Sequence, residues 1–343
     1  MTTDMQDESE IFRGTTTGAT RLRDARSVRG TPRAGMPAFV LGEELADLAD
    51  RDPRIVVATA DLASANRTND FRDRHPDRFV NFSIAEKNMI TAAAGMASTG
   101  LIPYVATFAS FAALLGAEAI RTDCAYPRMK VRIIGSHSGM SMGFYGSSHH
   151  ALEDLGMMRC MADLTVVCAT DANHLRAILR ASVEHPEAMY IRLGRGRDPV
   201  VYDSVPDIAF GKAIRLRDGT DLTIIACGSQ VRASLDAAEA LAAQGVSVRV
   251  VDMFTIDRMD ADEIRAAAQD TGAILTVEEH NVTGGMGSAV AEVLLDLPRI
   301  PFRKHGVPDR YVEVGPPAAL YTHYKLDAAG VAEVARELLA RKT

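Results

Sequence analysis

The side chains of this sequence that are suited to chemistry follow short apolar runs rich in β-branched residues. A run such as RIVVATA is typical of a buried strand in a parallel sheet, so the polar group after it lies at the carboxyl end of that strand. Ligands of open α/β sheets bind at that edge. The residues placed in this way are Asp61, Glu86, Phe108, Phe111, His137, Arg192 and Arg195. We expect them to line one ligand site.

The segment 135–159 is the most unusual part of the sequence, because a long Gly/Ser loop there carries His137, His149 and His150. Long loops in compact domains are usually functional. Histidine near neutral pH donates, accepts or carries a proton, which suits proton transfer at carbonyl and hydroxyl groups. No carboxylate or cysteine lies at the usual spacing of metal ligands, so we predict no metal site in this segment.

Structural explanations compete with the chemical ones at these positions. Ser83 and Glu86 have the spacing of a capping box, in which the serine accepts the N–H of the glutamate and the glutamate reaches back. Asp61 is also a candidate helix cap, and two phenylalanines three residues apart often belong to a core. The glycine-rich TGGMGSAV at 283–290 lacks the lysine of a phosphate-binding loop, so we expect a packing turn there. The residues alone leave the role of Glu86 open.

Helical and strand patterns alternate from Met36 onward, which is the signature of βαβ units and of a mostly parallel sheet covered by helices on both faces. We predict an α/β fold with one domain at 36–195, a linker at 196–210 and a smaller α/β domain at 211–343. The stretch HHALEDLGMMR is predicted as one helix. Residues 1–35 have no apolar periodicity, so we expect a disordered arm.

The composition bounds the class of protein. A chain of 343 residues, 47% hydrophobic and 24% charged, is long enough for two globular domains, and its apolar runs are too short to span a bilayer. The net charge of −7 and the lack of a dense basic run argue against nucleic acid as a partner. No secretory signal is expected. The four cysteines lack C-x-x-C spacing, which favours a reducing cytoplasm.

Several of these stretches, in order, resemble the C-terminal half of transketolase over residues 36–343. The matching pieces are ADLASAN, RFVNFSIAEKNM with AAAGMASTG, PYVATFASF, IIGSHSG, SHHALEDLGMMR, IACGSQV and EEHNVTGGMGSAVAEVL. The synthase of 1-deoxyxylulose 5-phosphate and the β chains of 2-oxoacid dehydrogenases share the plan, but the HxxxEDLxxxR pattern is more similar to transketolase. The resemblance implies a thiamine-diphosphate-binding pyrimidine domain followed by a transketolase C-terminal domain.

The resemblance also implies a role for each candidate residue. Glu86 would hydrogen-bond the aminopyrimidine ring of thiamine diphosphate, which answers the question that the residues leave open. Phe108 and Phe111 would pack on that ring, with Asp61 nearby at the cofactor pocket. His137 and His149 would contact the substrate in catalysis.

The implied anion site rests on fewer residues. Arg195 would hold a terminal phosphate of the substrate. An arginine expected near Ala38 and a serine expected near Ala65, both phosphate contacts in transketolase, are absent. Tyr145 stands where the family has an acidic residue that recognises a hydroxyl group. These departures point to an unusual ketose phosphate, such as apulose 4-phosphate.

A missing motif implies a partner chain. Transketolases hold the diphosphate and Mg²⁺ through a G-D-G motif in an N-terminal domain, and no G-D-G occurs in this sequence. The resemblance therefore implies a split transketolase, in which an N-terminal-half subunit supplies that domain and two such pairs form an α2β2 assembly. Such an enzyme transfers a two-carbon ketol unit between sugar phosphates. The alternatives are a β-type subunit of a 2-oxoacid dehydrogenase and a non-catalytic scaffold subunit.

Overall fold

In a computed structural model, the structure describes residues 40–195 and 198–342. The predicted arm at 1–35 lies outside the described residues. The described chain contains two sheets, and residues 198–213 between them contain neither helix nor strand. The α/β fold predicted from the sequence is confirmed, whereas the domain bounds stay predictions.

The first sheet has six parallel strands in the order β2-β1-β3-β4-β6-β5. Every residue of five of these strands is buried, as expected for a sheet with both faces covered. The strands are β1 (Ile55–Thr59), β2 (Phe79–Asn81), β3 (Ile102–Phe108), β4 (Arg132–Ser136), β5 (Leu164–Cys168) and β6 (Ala188–Arg192).

The helices of the first sheet connect its strands. They are α1 (Val40–Ala49), α2 (Asn69–Arg74), α3 (Glu86–Ser98), α4 (Ala109–Ala119), α5 (Asp154–Arg159) and α6 (Ala172–Ser182). A π-helical turn, Ile120–Ala125, extends α4, and a 3₁₀ segment, Gly143–Ser148, lies in the histidine-rich loop. The prediction of one helix over HHALEDLGMMR is wrong, because α5 begins only at Asp154.

The second sheet has five strands in the order β11-β10-β8-β9-β7. Strand β7 runs antiparallel to β9, and the other pairs are parallel. The strands are β7 (Ile214–Arg217), β8 (Leu222–Ala226), β9 (Val248–Asp252), β10 (Ile274–Asn281) and β11 (Phe302–Val307). The helices are α7 (Gln230–Ala242), α8 (Ala261–Thr271), α9 (Met286–Leu294), α10 (Pro317–His323) and α11 (Ala328–Leu339).

One apolar cluster spans the two sheets. It includes Val166 and Cys168 of β5 and continues into Ile225 of β8 and into Met253, which follows β9. Burial of a continuous apolar surface makes separation of the sheets costly in free energy. The C-terminal sheet therefore supports the edge of the first sheet rigidly.

A buried ion pair fixes the end of β6. Arg192 Nε donates to Asp154 Oδ2 at 2.8 Å, and the two side chains are only 2% and 1% exposed. The Tyr190 hydroxyl donates to the same carboxylate oxygen at 2.9 Å. Arg192 was predicted as a ligand-binding residue because it follows an apolar strand pattern. Its guanidinium is instead buried and paired with Asp154. That prediction is therefore wrong.

We expect Asp154→Asn to lower the free energy of unfolding by about 3 kcal/mol, because the guanidinium of Arg192 is left buried without a counter-charge. The matched control is Asp163→Asn, since Asp163 pairs with Arg128 at the surface and such pairs contribute about 1 kcal/mol or less. Urea denaturation of both variants measures the difference. Equal losses in the two variants would contradict the structural role of the buried pair.

Candidate active site

The carboxyl edge of the first sheet collects most of the predicted residues. Strands β1, β3, β4 and β6 are neighbours in the sheet, so the segments that follow them meet at one edge. Phe108 ends β3, His137 follows β4, and Gly194 and Arg195 follow β6. The backbone N–H of His137 donates to the carbonyl oxygen of Gly194 at 3.1 Å, which joins two of these segments directly.

His137 lies in a polar chain at the base of the site. Its φ of 57° is left-handed, which turns the chain sharply at the end of β4. The Ser136 hydroxyl donates to Asn66 Oδ1 at 2.7 Å and lies 2.9 Å from His137 Nδ1. Because that hydroxyl has one hydrogen, the imidazole Nδ1–H donates to Ser136 in this arrangement. The Nε2 atom of His137 is then left as a hydrogen-bond acceptor.

Burial keeps the imidazole of His137 neutral. Desolvation, with the nearby positive charges of Arg195 and Arg67, lowers the pKa of His137 to about 3. Burial also lowers the pKa of His149, which is only half-buried. Both rings are therefore neutral at physiological pH and act as donors or acceptors of hydrogen bonds.

Aromatic rings connect the two histidines. The ring centroid of Phe108 lies 4.4 Å from that of His137, and the centroid of Phe111 lies 5.1 Å from that of His149. Phe108 and Phe111 are themselves 5.5 Å apart. Tyr145 lies 4.9 Å from His149 and is 47% exposed, so it forms the outer side of this cluster. The structure thus brings together five predicted residues from β3, α4 and the histidine-rich loop.

Glu86 is the first residue of α3, and its side chain is only 6% exposed. The capping-box interpretation is wrong, because Ala85 is the N-cap and no side chain caps the helix. Ser83 has a left-handed φ of 56° and its N–H donates to Asn81 Oδ1. Within the described residues, no hydrogen-bond donor pairs with the Glu86 carboxylate. An open cleft lined by Lys87, Asn88, Thr91 and Leu115 lies next to it.

Asp61 is exposed at the start of the loop after β1. Its Oδ1 atom accepts from Asn81 Nδ2 at 3.2 Å, and its N–H donates to Asn81 Oδ1 at 2.9 Å. Its hydrogen bonds thus go to a side chain at the end of β2 and not to a helix N-terminus. The strand-end segments that carry Asp61 and Glu86 are therefore linked through one asparagine.

A small pocket beside His137 contains residues that the sequence analysis missed. Asn66 and Arg67 line it together with His137, Arg195 and Asp198. Both missed residues lie in the loop ADLASANRT after β1, so their position at the same sheet edge was the available signal. Two arginines thus share the pocket with the carboxylates of Asp171 and Asp198.

In residues 40–195 and 198–342, no group of three or more His, Cys, Asp and Glu side chains is arranged to hold a metal ion. Among the helices of that part of the chain, none is long and apolar enough to cross a membrane.

Comparison with known proteins identifies the family. The transketolase pyrimidine binding domain matches residues 38–199, and the transketolase C-terminal domain matches residues 211–331. A subunit of the apulose-4-phosphate transketolase of Phocaeicola vulgatus is 36% identical over 300 residues, which cover 87% of this chain and 96% of that protein. The chain belongs to the transketolase family. It is therefore a transketolase-type transferase subunit of a thiamine-diphosphate-dependent family, and the dehydrogenase and scaffold alternatives are not favoured.

Other transketolases agree with this assignment. The 6-deoxy-6-sulfo-D-fructose transketolase subunit SqwH of Clostridium sp. strain MSTE9 is 37% identical over 87% of this chain and 92% of that protein. A solved split gene transketolase, described as an inactive β4 tetramer, matches with a TM-score of 0.82 and 39% identity over 90% of this chain and 100% of that one. Transketolase of Campylobacter jejuni shares the fold, with a TM-score of 0.76 at 19% identity over 90% of this chain and 47% of that one.

The neutral state of His137 predicts a pH effect on stability. The folded ring binds no proton until about pH 3, whereas an exposed histidine binds one near its usual value of 6.5. The unfolded chain therefore binds more protons between these values, so the free energy of unfolding decreases as the pH falls from about 6.5 toward 3.

We expect this component to be lost in His137→Asn. The decrease in unfolding free energy between pH 7 and pH 5 is then smaller in the variant by about 2 kcal/mol. Urea denaturation of both proteins at the two pH values measures it, and the other histidines are common to both. An equal decrease in the two proteins would show that His137 titrates normally in the folded chain.

Proposed function

We propose that this chain is the pyrimidine-binding and C-terminal half of a two-chain transketolase that transfers a two-carbon ketol unit between sugar phosphates. The observation that carries the proposal is Glu86, a buried carboxylate at the start of α3 that opens on a cleft. The Glu86 carboxylate lines that cleft and has no donor within the described residues, so a ligand in the cleft can supply one. The family membership names that ligand as thiamine diphosphate.

The residues at this edge fit the aminopyrimidine part of thiamine diphosphate. Glu86 is placed to hydrogen-bond a ring nitrogen, because its carboxylate lines the cleft and has no hydrogen-bond donor within the described residues. The rings of Phe108 and Phe111 offer apolar faces for a flat heterocycle, and Asp61 lies at the neighbouring strand end. When bound, thiamine diphosphate supplies the nucleophilic carbon that takes up and releases the two-carbon unit.

The two histidines are placed to form hydrogen bonds with hydroxyl groups of the sugar. His137, neutral and with Nε2 able to accept, is suited to take a hydrogen bond from a substrate hydroxyl group. His149 lies across the same aromatic cluster and contacts Tyr145, so a sugar bound there meets a tyrosine hydroxyl where an acidic residue is usual in the family. We propose His137, His149 and Tyr145 as contacts to the substrate.

The diphosphate and Mg²⁺ are assigned to a partner chain. The sequence has no G-D-G motif to hold them. Large apolar side chains next to the Glu86 cleft are exposed in the single chain, namely Ile84, Leu114 and Leu115. Such a patch beside a ligand site favours a protein partner that covers it. We propose an N-terminal-half subunit at this surface and an α2β2 assembly, and the Phocaeicola vulgatus relative, itself named as one subunit of a transketolase, supports a second chain.

Free thiols support a reducing compartment. The four cysteines of the chain, all within the described residues, are unpaired. Disulfides are rare in the cytosol, where thiols are kept reduced. We propose a cytoplasmic enzyme.

The substrate is proposed to be a ketose with an anionic end. Arg67 and Arg195 line the pocket beside His137, which suits a phosphate group. The family's phosphate contacts expected near Ala38 and Ala65 are absent from the sequence, and Arg67 supplies a positive charge in the pocket that Ala65 also lines. One relative is named for apulose 4-phosphate and another for a sulfonated fructose, and both sugars carry an anionic group. We propose a ketose phosphate such as apulose 4-phosphate, bound at its phosphate by Arg67 and Arg195.

The cofactor test uses calorimetry with thiamine diphosphate and Mg²⁺, on the chain alone and on the chain purified with an N-terminal-half subunit. We expect tight binding only in the pair, and a loss of about tenfold or more in affinity with Glu86→Gln, because one charge-assisted hydrogen bond is weakened. Glu337→Gln is the control, since Glu337 lies on α11, is exposed and pairs with Arg303. Tight binding by the lone chain would overturn the split diphosphate site.

The anion site is tested by kinetics of the pair on ketose phosphates. We expect Arg67→Ala and Arg195→Ala each to raise KM about 10- to 100-fold, because each removes a charge-assisted contact to phosphate. Arg54→Ala is the matched control, since Arg54 pairs with Asp52 and Glu184 at the surface. If Arg67→Ala behaves like Arg54→Ala while Arg195→Ala does not, Arg67 has no part in the anion site.

A further inference from the structure

The loop that carries Tyr145 and His149 is closed at its base by one backbone bridge. The N–H of Gly139 donates to Ala151 O at 3.1 Å, and the N–H of Ala151 donates to Gly139 O at 3.0 Å. Residues 139–151, called the histidine loop here, therefore begin and end at one point. Whatever holds that point sets the direction of the loop.

The end of β10, in the second sheet, contacts this base on both sides. Glu279 Oε1 accepts the N–H of Met140 at 2.6 Å. The N–H of Asn281 donates to Leu152 O at 2.8 Å. His280, between them, accepts the N–H of Gly156 at its Nε2 atom. The sequence EEHN, which the catalytic assignment leaves unused, thus binds the two ends of the histidine loop and the start of α5.

Glu279 has the strongest set of partners in this contact. Its carboxylate is buried and also accepts from Ser229 Oγ at 2.9 Å and from the Tyr321 hydroxyl. A Cβ atom at Gly139 would overlap the Glu279 carboxylate, and Gly139 has a left-handed φ of 60°. Glycine at 139 and glutamate at 279 are therefore fitted to each other.

The same network reaches the opposite side of the site. Arg192 Nη2 donates to Ala151 O at 3.1 Å and to Glu279 O at 2.9 Å. Two residues after Arg192, Gly194 O accepts the N–H of His137. The loop tip is also held by the C-terminal domain, because the N–H of Gly315 donates to Gly143 O at 3.0 Å.

We propose that Glu279 is a positioning residue of the ketol transfer, which sets the histidine loop through Met140 so that His149 and Tyr145 face Phe108 and His137. Glu279 lies in the C-terminal domain and acts through the loop, without touching the ligand site itself. The kinetic part of this inference rests on the proposed function. The positioning of the loop does not.

The experiment compares Glu279→Gln and Glu279→Ala with Glu278→Gln in the two-chain enzyme. Glu278 is a matched control, because it is an equally buried carboxylate on the same strand that accepts the N–H groups of Met286 and Gly287 at 2.6 and 2.8 Å. Those contacts fix α9 and do not reach the histidine loop. Tyr321→Phe is a milder variant, since it keeps Glu279 and removes one donor to it.

Two readouts separate positioning from stability. Hydrogen–deuterium exchange reports the protection of peptide 138–152, and steady-state kinetics on ketose phosphates reports kcat and KM. We expect both Glu279 variants to exchange faster in 138–152, and kcat/KM to fall about tenfold in Glu279→Gln and about 100-fold in Glu279→Ala, as for misplacement of a contact group by about 1 Å. Tyr321→Phe changes both readouts in the same direction by a smaller factor.

The Glu278→Gln variant separates loss of stability from loss of loop positioning. We expect Glu278→Gln to lower the melting temperature, while exchange in 138–152 and kcat/KM stay within about twofold of the parent, since α9 is not part of the site. Unchanged exchange in both Glu279 variants, or faster exchange with unchanged kcat/KM, overturns the inference. If the parent pair transfers no ketol unit from any ketose phosphate, the proposed function fails, and the exchange data alone still decide whether Glu279 holds the loop.

Discussion

The buried ion pair between Arg192 and Asp154 is the interaction on which the rest of the structure depends. Arg192 ends β6 and Asp154 begins α5, so the pair holds the sheet edge against the helix that follows the histidine loop. The same guanidinium donates to the carbonyl groups of Ala151 and Glu279. A buried charge is stable only when its counter-charge and its hydrogen-bond partners are all in place. Arg192 therefore couples the position of the sheet edge to the positions of the histidine loop and the C-terminal domain.

A cleft and a pocket lie among the residues of this sheet edge. Glu86 and Lys87 line the cleft, and Arg67, Arg195 and Asp198 line the pocket. His137 lines the pocket and contacts Phe108. Burial beside two positive charges keeps its ring uncharged by lowering its pKa, which suits a group that exchanges hydrogen bonds with sugar hydroxyls.

The sequence predicted what depends on local pattern. Buried parallel strands were readable from their β-branched runs, and the strand-end rule then placed His137 and Glu86 at the carboxyl edge of the first sheet. The rule failed at Arg192, which has the same strand-end position but forms an ion pair with Asp154 in the interior. The predicted helix over HHALEDLGMMR also begins only at Asp154, after the bridge at the base of the loop. Glu279 meets Met140 across 139 positions of sequence, a contact that no local pattern encodes.

The pairing of Gly139 with Glu279 has a consequence for protein engineering and for recombination among relatives. A histidine loop grafted from another transketolase brings its own side chains, but its direction is set by a carboxylate on the second sheet. A chimera joined between the two sheets would combine the loop of one protein with the Glu279, Ser229 and Tyr321 positions of another. An exchange that keeps the direction of the histidine loop must therefore include the end of β10.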